Sequence, residues 1–198
     1  MNALAVLTII EESRTIRDER EIRQHLASTG IEYEHWDLAP QIDQNSDADA
    51  ILSAYAERIE RVKHQGGYRK VDVINVNSST PGLDAMLSKF STEHWHDEDE
   101  VRFTVHGRGL YHVHPQNGPV MALEVEPGDM IRVPRGTLHW FDLCGEREIK
   151  AIRFFQDPAG WTPYYTESEL EKQFEPVCFG QSHLPPEKVT AIPWPGVK

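Results

Sequence analysis

Apolar residues in the first 70 positions change between extended and helical spacing. Leu4 to Ile10 is apolar enough for a strand, and Asp18 to Ser28 is predicted as a helix with Ile22 and Leu26 on one face. From Ile31 to Leu38 the alternating pattern of a strand returns. These residues therefore predict a mixed α/β layer at the start of the chain.

A longer helix is predicted from Asp47 to about Val62, with Ser46 as its N-cap and Gly66-Gly67 beyond its end. Its apolar residues recur at helical spacing: Ile51, Tyr55, Ile59 and Val62. A helix with one apolar stripe needs a surface to cover. We expect the N-terminal helices to pack on one side of the strands that follow.

The remaining chain is mainly extended. Val71 to Val76 is predicted as a strand and Pro81 to Phe90 as a short helix, and from Glu93 onward short strands alternate with Gly and Pro turns. This pattern is typical of a β-barrel. The fold class is therefore predicted as mainly β with α, in one domain: residues 1–70 form the N-terminal layer and residues 71–166 the barrel.

Residues 167–198 are predicted as a helix, Glu167 to Phe174, followed by an irregular arm rich in proline. Proline removes backbone donors, so this arm is not expected to add a strand to the barrel. It is nevertheless too apolar for a solvated tail, and we expect it to dock on the domain surface, in part over the N-terminal layer, through these residues: Val177, Phe179, Leu184, Ile192 and Trp194.

Composition narrows the classes of partner and compartment. The chain has 198 residues with 32 acidic and 20 basic side chains, a net charge of −12, which disfavours nucleic acid and anionic membranes as partners. Cys144 and Cys178 are too few for a disulfide framework, and each is expected to be a packing residue. The N-terminus lacks a secretory signal pattern, so we expect a cytoplasmic location.

The residues with the clearest chemistry are His94, His96 and Glu100, which share one strand face with Arg102. Their neighbours Val101, Phe103 and Val105 take the opposite face. His139 follows the Pro134-Arg135-Gly136 turn into a later strand. Three imidazoles and one carboxylate suit a divalent transition metal and leave two octahedral positions free for substrate, whereas surface histidines on an acidic strand end are the alternative.

His112 and His114 have the same His-x-His spacing. No carboxylate follows them at ligand spacing, and the first ligand set is complete without them. We do not expect them to bind the metal.

Two motifs resemble the cupin superfamily: the HxHxxxE pattern from His94 to Glu100 and G-x5-P-x-G-x2-H from Gly128 to His139. A closer resemblance, covering about residues 1–175, is to the acireductone dioxygenase family. It is carried by EHWHDEDEVRF (93–103), HGRGLYHVH (106–114), VPRGTLHWFDL (133–143) and AIRFFQDPAGW (151–161). It implies a cupin jelly-roll barrel with the N-terminal helices packed on one side.

The resemblance also implies an activity. Family members hold one Fe(II) or Ni(II) ion and oxidise 1,2-dihydroxy-3-keto-5-methylthiopentene, an acireductone of methionine salvage, with O2. The Fe form gives 2-keto-4-methylthiobutyrate and formate, and the Ni form gives 3-methylthiopropionate, formate and CO. The partners expected for this chain are acireductone and O2, and we expect a monomer.

Residue roles follow from the matching positions. Arg102 is expected to help form the substrate dianion, Glu93 to influence metal incorporation, and Asp99 to relay local conformational change. The expected substrate-pocket residues are Phe103, Phe141, Arg153 and Trp161. For Arg153, an ion pair that fixes the strands is the alternative, and for Trp161 the alternative is simple packing of a loop.

Two other functions stay open from sequence alone. One is a different cupin dioxygenase or a cupin isomerase, and the other is a non-catalytic cupin that binds a small ligand. Oxygen uptake on an enediol separates the first hypothesis from an isomerase.

Overall fold

The computed structural model describes residues 5–179, and these form two antiparallel sheets with short helices outside them. In chain order the strands are β1 (Val6–Ile9), β2 (Arg14–Ile16), β3 (Glu32–His35), β4 (Lys70–Val76), β5 (His94–Trp95), β6 (Glu100–Gly107), β7 (Gly109–His114), β8 (Met121–Val125), β9 (Asp129–Val133), β10 (Leu138–Leu143), β11 (Ile149–Phe155) and β12 (Tyr164–Tyr165). The seven-stranded sheet has the order β12-β5-β10-β7-β8-β1-β2, and the five-stranded sheet has β3-β9-β6-β11-β4.

The helices are α1 (Glu19–Ser28), α2 (Ala48–Ala54), α3 (Ala56–Gly66) and α4 (Leu83–Leu87), with a 3-10 helix at Leu170–Gln173. Helix α1 begins as predicted, since the Asp18 carboxylate accepts from the Glu21 amide. The single helix predicted from Asp47 is divided at Tyr55 into α2 and α3.

Ser46 is not the N-cap of α2. Asp47 takes that role, because its carboxylate accepts from the Ala50 amide at 2.8 Å. The Ser46 hydroxyl bonds instead within the preceding turn, to Asp43. Sequence reasoning placed the cap one residue too early.

The predicted cover of N-terminal helices is confirmed. Ile51, Tyr55 and Ile59 pack in one buried cluster with the outward residues of the five-stranded sheet, among them Val101 and Phe103. Each such apolar side chain contributes roughly 1.5–3 kcal/mol when it leaves water. Helices α2 and α3 thus stabilise the sheet that carries Glu100.

The N-terminal strands are part of the barrel itself. Strand β1 pairs with β8, and β3 pairs with β9, so the first 35 residues extend both sheets. The predicted division at residue 70 therefore does not separate a layer from a barrel. Among residues 5–179, no helix combines the length and apolar character needed to cross a bilayer.

The C-terminal segment follows the prediction in part. The helix expected over Glu167 to Phe174 is only the 3-10 helix, and Tyr164–Tyr165 adds to the sheet beside β5. Val177 and Phe179 dock on the domain surface, on the outer side of the seven-stranded sheet, in a cluster that joins Ile10 of the N-terminal segment to Leu110 and Trp140. Leu184, Ile192 and Trp194 lie outside the described residues.

The two cysteines are also not separate packing residues. The arm crosses the sheet and brings Cys178 to the turn after β10, where it forms a disulfide with Cys144. Their separation of 34 residues in sequence hid this pairing. The disulfide fixes the beginning of the arm on the barrel.

Candidate metal centre

Four buried side chains converge between the two sheets. His94 of β5 lies opposite His139 of β10 in the strand register, His96 follows β5, and Glu100 opens β6 in the other sheet. None is more than 2% exposed. One ligand atom of each lies within 4.8 Å of the others, so the predicted set comes together.

Backbone carbonyls orient the three imidazole rings. The Nδ1 atoms lie 2.7–2.9 Å from carbonyl oxygens, His94 from Thr92, His96 from Thr162 and His139 from Thr137. Because a carbonyl only accepts, each Nδ1 carries a hydrogen and donates it. With its hydrogen on Nδ1, each ring directs Nε2 towards the centre, the atom that a metal would bind.

The Nε2 atoms of two rings face a carboxylate. Glu100 Oε2 lies 3.0 Å from His96 Nε2 and 3.4 Å from His139 Nε2. The Nε2 atom of His94 is buried and has no hydrogen-bond partner within residues 5–179. Burial and then His139 lower the pKa of His94 to about 4, so this ring is neutral at pH 7. A divalent cation would give the buried His94 nitrogen and the Glu100 carboxylate a common partner. The residues present therefore fit the predicted metal.

The other oxygen of Glu100 faces different partners. Oε1 lies 2.9 Å from Arg102 Nε and accepts from the Tyr111 hydroxyl at 3.1 Å. Burial raises the pKa of Glu100, but Arg102, His139 and His96 together lower it by more, so the pKa lies well below its usual range. Glu100 is therefore a carboxylate. Tyr111 was not recognised from sequence, although its register opposite Phe141 marks it as inward-facing.

Aromatic rings line the space beside Arg102. Its guanidinium carbon lies 5.1 Å from the ring centres of both Phe141 and Trp161. The Trp161 ring lies 6.0 Å from that of His96, and its indole N–H donates to the Asp99 carbonyl. Phe141 and Trp161 thus lie beside Arg102 at the metal centre, and their role as pocket residues stays a prediction.

Of the other two expected pocket residues, Phe103 lies elsewhere, whereas Arg153 is opposite Arg102 in the strand register, with its guanidinium carbon 5.9 Å from the Trp161 ring centre. Phe103 stacks on Trp36 at 4.6 Å in the outer cluster, because its position in β6 has the opposite parity to Glu100. It belongs to the outer face and not to the pocket. Arg153 forms a two-point ion pair with Asp72, at 2.8 and 2.9 Å, which is the strand-fixing alternative.

Glu93 and Asp99 hold the ligand-bearing segments in place. The carboxylate of Glu93 accepts from His114 and from two hydroxyls beyond β12, those of Thr166 and Ser168. Asp99 accepts from these groups: the Tyr68 hydroxyl, the Arg132 guanidinium and the Arg135 amide. Asp99 thus ties the first motif to the second. The roles in metal incorporation and conformational relay stay predictions.

Comparisons with known proteins agree with this site. The model of the ARD/ARD′ family matches residues 7–163. An acireductone dioxygenase of Picosynechococcus is 41% identical over 167 residues, which cover 84% of this chain and 95% of that protein. One of Pseudomonas aeruginosa is 37% identical over 177 residues, 86% of this chain and 97% of that protein.

A solved structure is also similar: an acireductone dioxygenase from Bacillus anthracis with a cadmium ion in its active centre. It has a TM-score of 0.79 and 35% sequence identity, and the match covers 83% of this chain and 100% of that chain. This likeness confirms the predicted cupin fold.

Proposed function

This chain belongs to the acireductone dioxygenase family, and we propose that it oxidises an acireductone with O2 on one Fe(II) or Ni(II) ion held by His94, His96, Glu100 and His139. The observation that carries the proposal is the convergence of three imidazole Nε2 atoms and one carboxylate oxygen in a buried space. A bound metal of this kind supplies Lewis acidity and a template for the two enediol oxygens.

Arg102 supplies the positive charge for the substrate. Its guanidinium is buried beside Glu100, and aromatic rings surround it, so its charge is poorly screened by water. An enediol that approaches the metal loses its protons more easily beside such a cation. Arg102 therefore favours the dianion and holds it.

The substrate's methylthio tail needs an apolar wall. Phe141 and Trp161 provide aromatic surface next to Arg102, and burial of the four ligands keeps bulk water from the reacting oxygens. A small anion with an apolar end fits this combination of charge and rings.

The finer proposals follow the family resemblance. The Fe(II) form yields 2-keto-4-methylthiobutyrate and formate, in methionine salvage, whereas the Ni(II) form yields 3-methylthiopropionate, formate and CO. Both metals accept imidazole and carboxylate, so the ligand set admits either. We propose that the chain acts as a cytoplasmic monomer.

Metal and product analysis tests the function. The metal content of the purified protein is measured first, and then apoprotein is reloaded with Fe(II) or with Ni(II) and supplied with acireductone and O2. We expect near one metal per chain, oxygen uptake with both metals, and CO from the Ni(II) form alone. Turnover without oxygen uptake would favour an isomerase, and substrate binding without turnover would favour a non-catalytic cupin.

A further inference from the structure

Tyr111 contributes a buried hydroxyl to the metal centre that the ligand motifs do not include. It lies on β7, is 1% exposed, and packs its ring 4.8 Å from that of Phe141. Its hydroxyl donates to Glu100 Oε1 at 3.1 Å. This buried hydroxyl therefore bonds to one of the two carboxylate oxygens of Glu100, a predicted metal ligand.

The two oxygens of Glu100 therefore have separate surroundings. Oε2 faces the Nε2 atoms of His96 and His139, where the metal is proposed. Oε1 is directed away from them, towards Tyr111 and Arg102. A carboxylate that turned to bind a cation with both oxygens would break both contacts of Oε1.

We propose that Tyr111 is a positioning residue that keeps Glu100 a one-oxygen ligand, so that the metal retains room for both enediol oxygens. The inference rests on the proposed function, since it assigns Tyr111 a part in the same site. Residues that hydrogen-bond to a metal ligand fix its orientation, and their mutation commonly lowers metal affinity or activity 10- to 100-fold.

Arg102 alone does not secure this arrangement. Its guanidinium also pairs with the anionic substrate. A guanidinium that moves towards the substrate weakens its contact with Glu100 Oε1. The Tyr111 hydroxyl is neutral and stays with Glu100 while Arg102 is shared. Tyr111 matters most, therefore, when substrate is bound.

The test compares Tyr111→Phe with Tyr33→Phe. In both, a buried tyrosine hydroxyl is removed from a buried carboxylate, but the partner of Tyr33 is Asp129, at 2.7 Å, which is not a ligand. Each protein is loaded with Ni(II), and infrared difference spectra between apoprotein and loaded protein are recorded. A carboxylate bound through one oxygen has a wider gap between its antisymmetric and symmetric stretches than one bound through two.

We expect Tyr111→Phe to bind Ni(II) with a narrowed gap and to show KM raised about tenfold with a smaller change in kcat. Wild type and Tyr33→Phe should both show the wide gap between the two carboxylate stretches and should have the same KM. An unchanged gap and KM in folded Tyr111→Phe would overturn the inference while leaving the proposed function intact. Wild-type protein that binds no Ni(II) would overturn both.

Discussion

Two His-x-His segments of the seven-stranded sheet have opposite environments. His94 and His96 lie on its inner side, donate through Nδ1 to backbone carbonyls and meet Glu100. His112 lies on the outer side, where its ring stacks on Trp140 at 4.8 Å with 9° between the planes. Both of its ring nitrogens are buried and have no hydrogen-bond partner among the described residues.

The difference shows what the spacing alone does not specify. A ligand pair needs backbone acceptors that fix the ring tautomer and a carboxylate from the facing sheet. His112 has neither and is held as an apolar ring, while His114 binds Glu93. Residue type and spacing are the same, and the face of the strand decides between chemistry and packing.

Measurement of metal content tests the difference between the two His-x-His segments most directly. His96→Ala should lose nearly all metal after desalting, because it removes one of four ligands, whereas His112→Ala should keep one equivalent. Chelation should also lower the melting temperature of wild type, since the metal joins strands distant in sequence. A full equivalent of metal in His96→Ala would show that the ligand assignment is wrong.

Substitution of Arg102 tests whether the inner side of the sheet carries the catalytic charge, with turnover as the measured quantity. Arg102→Ala should retain metal and fold but lose about 100-fold or more in kcat, because the substrate anion loses its cation. Arg102→Lys should recover part of this loss, as a point charge without the planar fork. Loss of metal from Arg102→Ala would instead make Arg102 a structural partner of Glu100.

The outer side is tested by truncation after Glu175, which removes Val177, Cys178 and Phe179 from above the sheet. We expect a loss of about 5 kcal/mol in the free energy of unfolding, since the disulfide contributes roughly 3–4 kcal/mol and its partly buried apolar neighbours contribute the rest. Metal content and turnover per folded molecule should be unchanged.

Full-length Cys178→Ser is the matched control for the disulfide alone, and urea denaturation of both variants separates the two contributions. A truncated protein that binds metal but has no turnover would show that the arm reaches the pocket.

The smallest effect concerns pH. Burial lowers the pKa of His112 to about 4. The unfolded chain, with an ordinary histidine pKa of about 6.5, then binds more protons than the folded one between these values, so stability falls as pH drops from 6.5 to 4. From pH 7.5 to 5.5 this loss is about 1 kcal/mol, and it should be absent in His112→Leu. Equal pH slopes for the two proteins in urea denaturation would contradict it.

Much of the site could be predicted because it depends on local spacing. Parity placed His94, His96, Glu100 and Arg102 on one face, and the structure brings the four predicted metal ligands together. Tyr111 was missed because its partner, Glu100, lies on the other sheet, and no local pattern records a contact between sheets.

The errors in the fold have similar causes. The break at Tyr55 leaves the helical spacing intact, so periodicity predicted one helix where there are two. Strand β2 has only three residues, too few for a pattern. The Cys144–Cys178 pairing depends on the path of the arm across the sheet, which spacing along the chain does not reveal.

The pairing of β1 with β8 and of β3 with β9 has a consequence for how the molecule is made. These partners lie roughly a hundred residues apart, so each pairing closes a long loop before it gains any stabilisation. During synthesis, β1 and β3 leave the ribosome early. The edges that later pair with β8 and β9 stay unpaired until those two strands have been synthesised. We expect slow folding, and an interval in which these two strands are open to pairing with other chains.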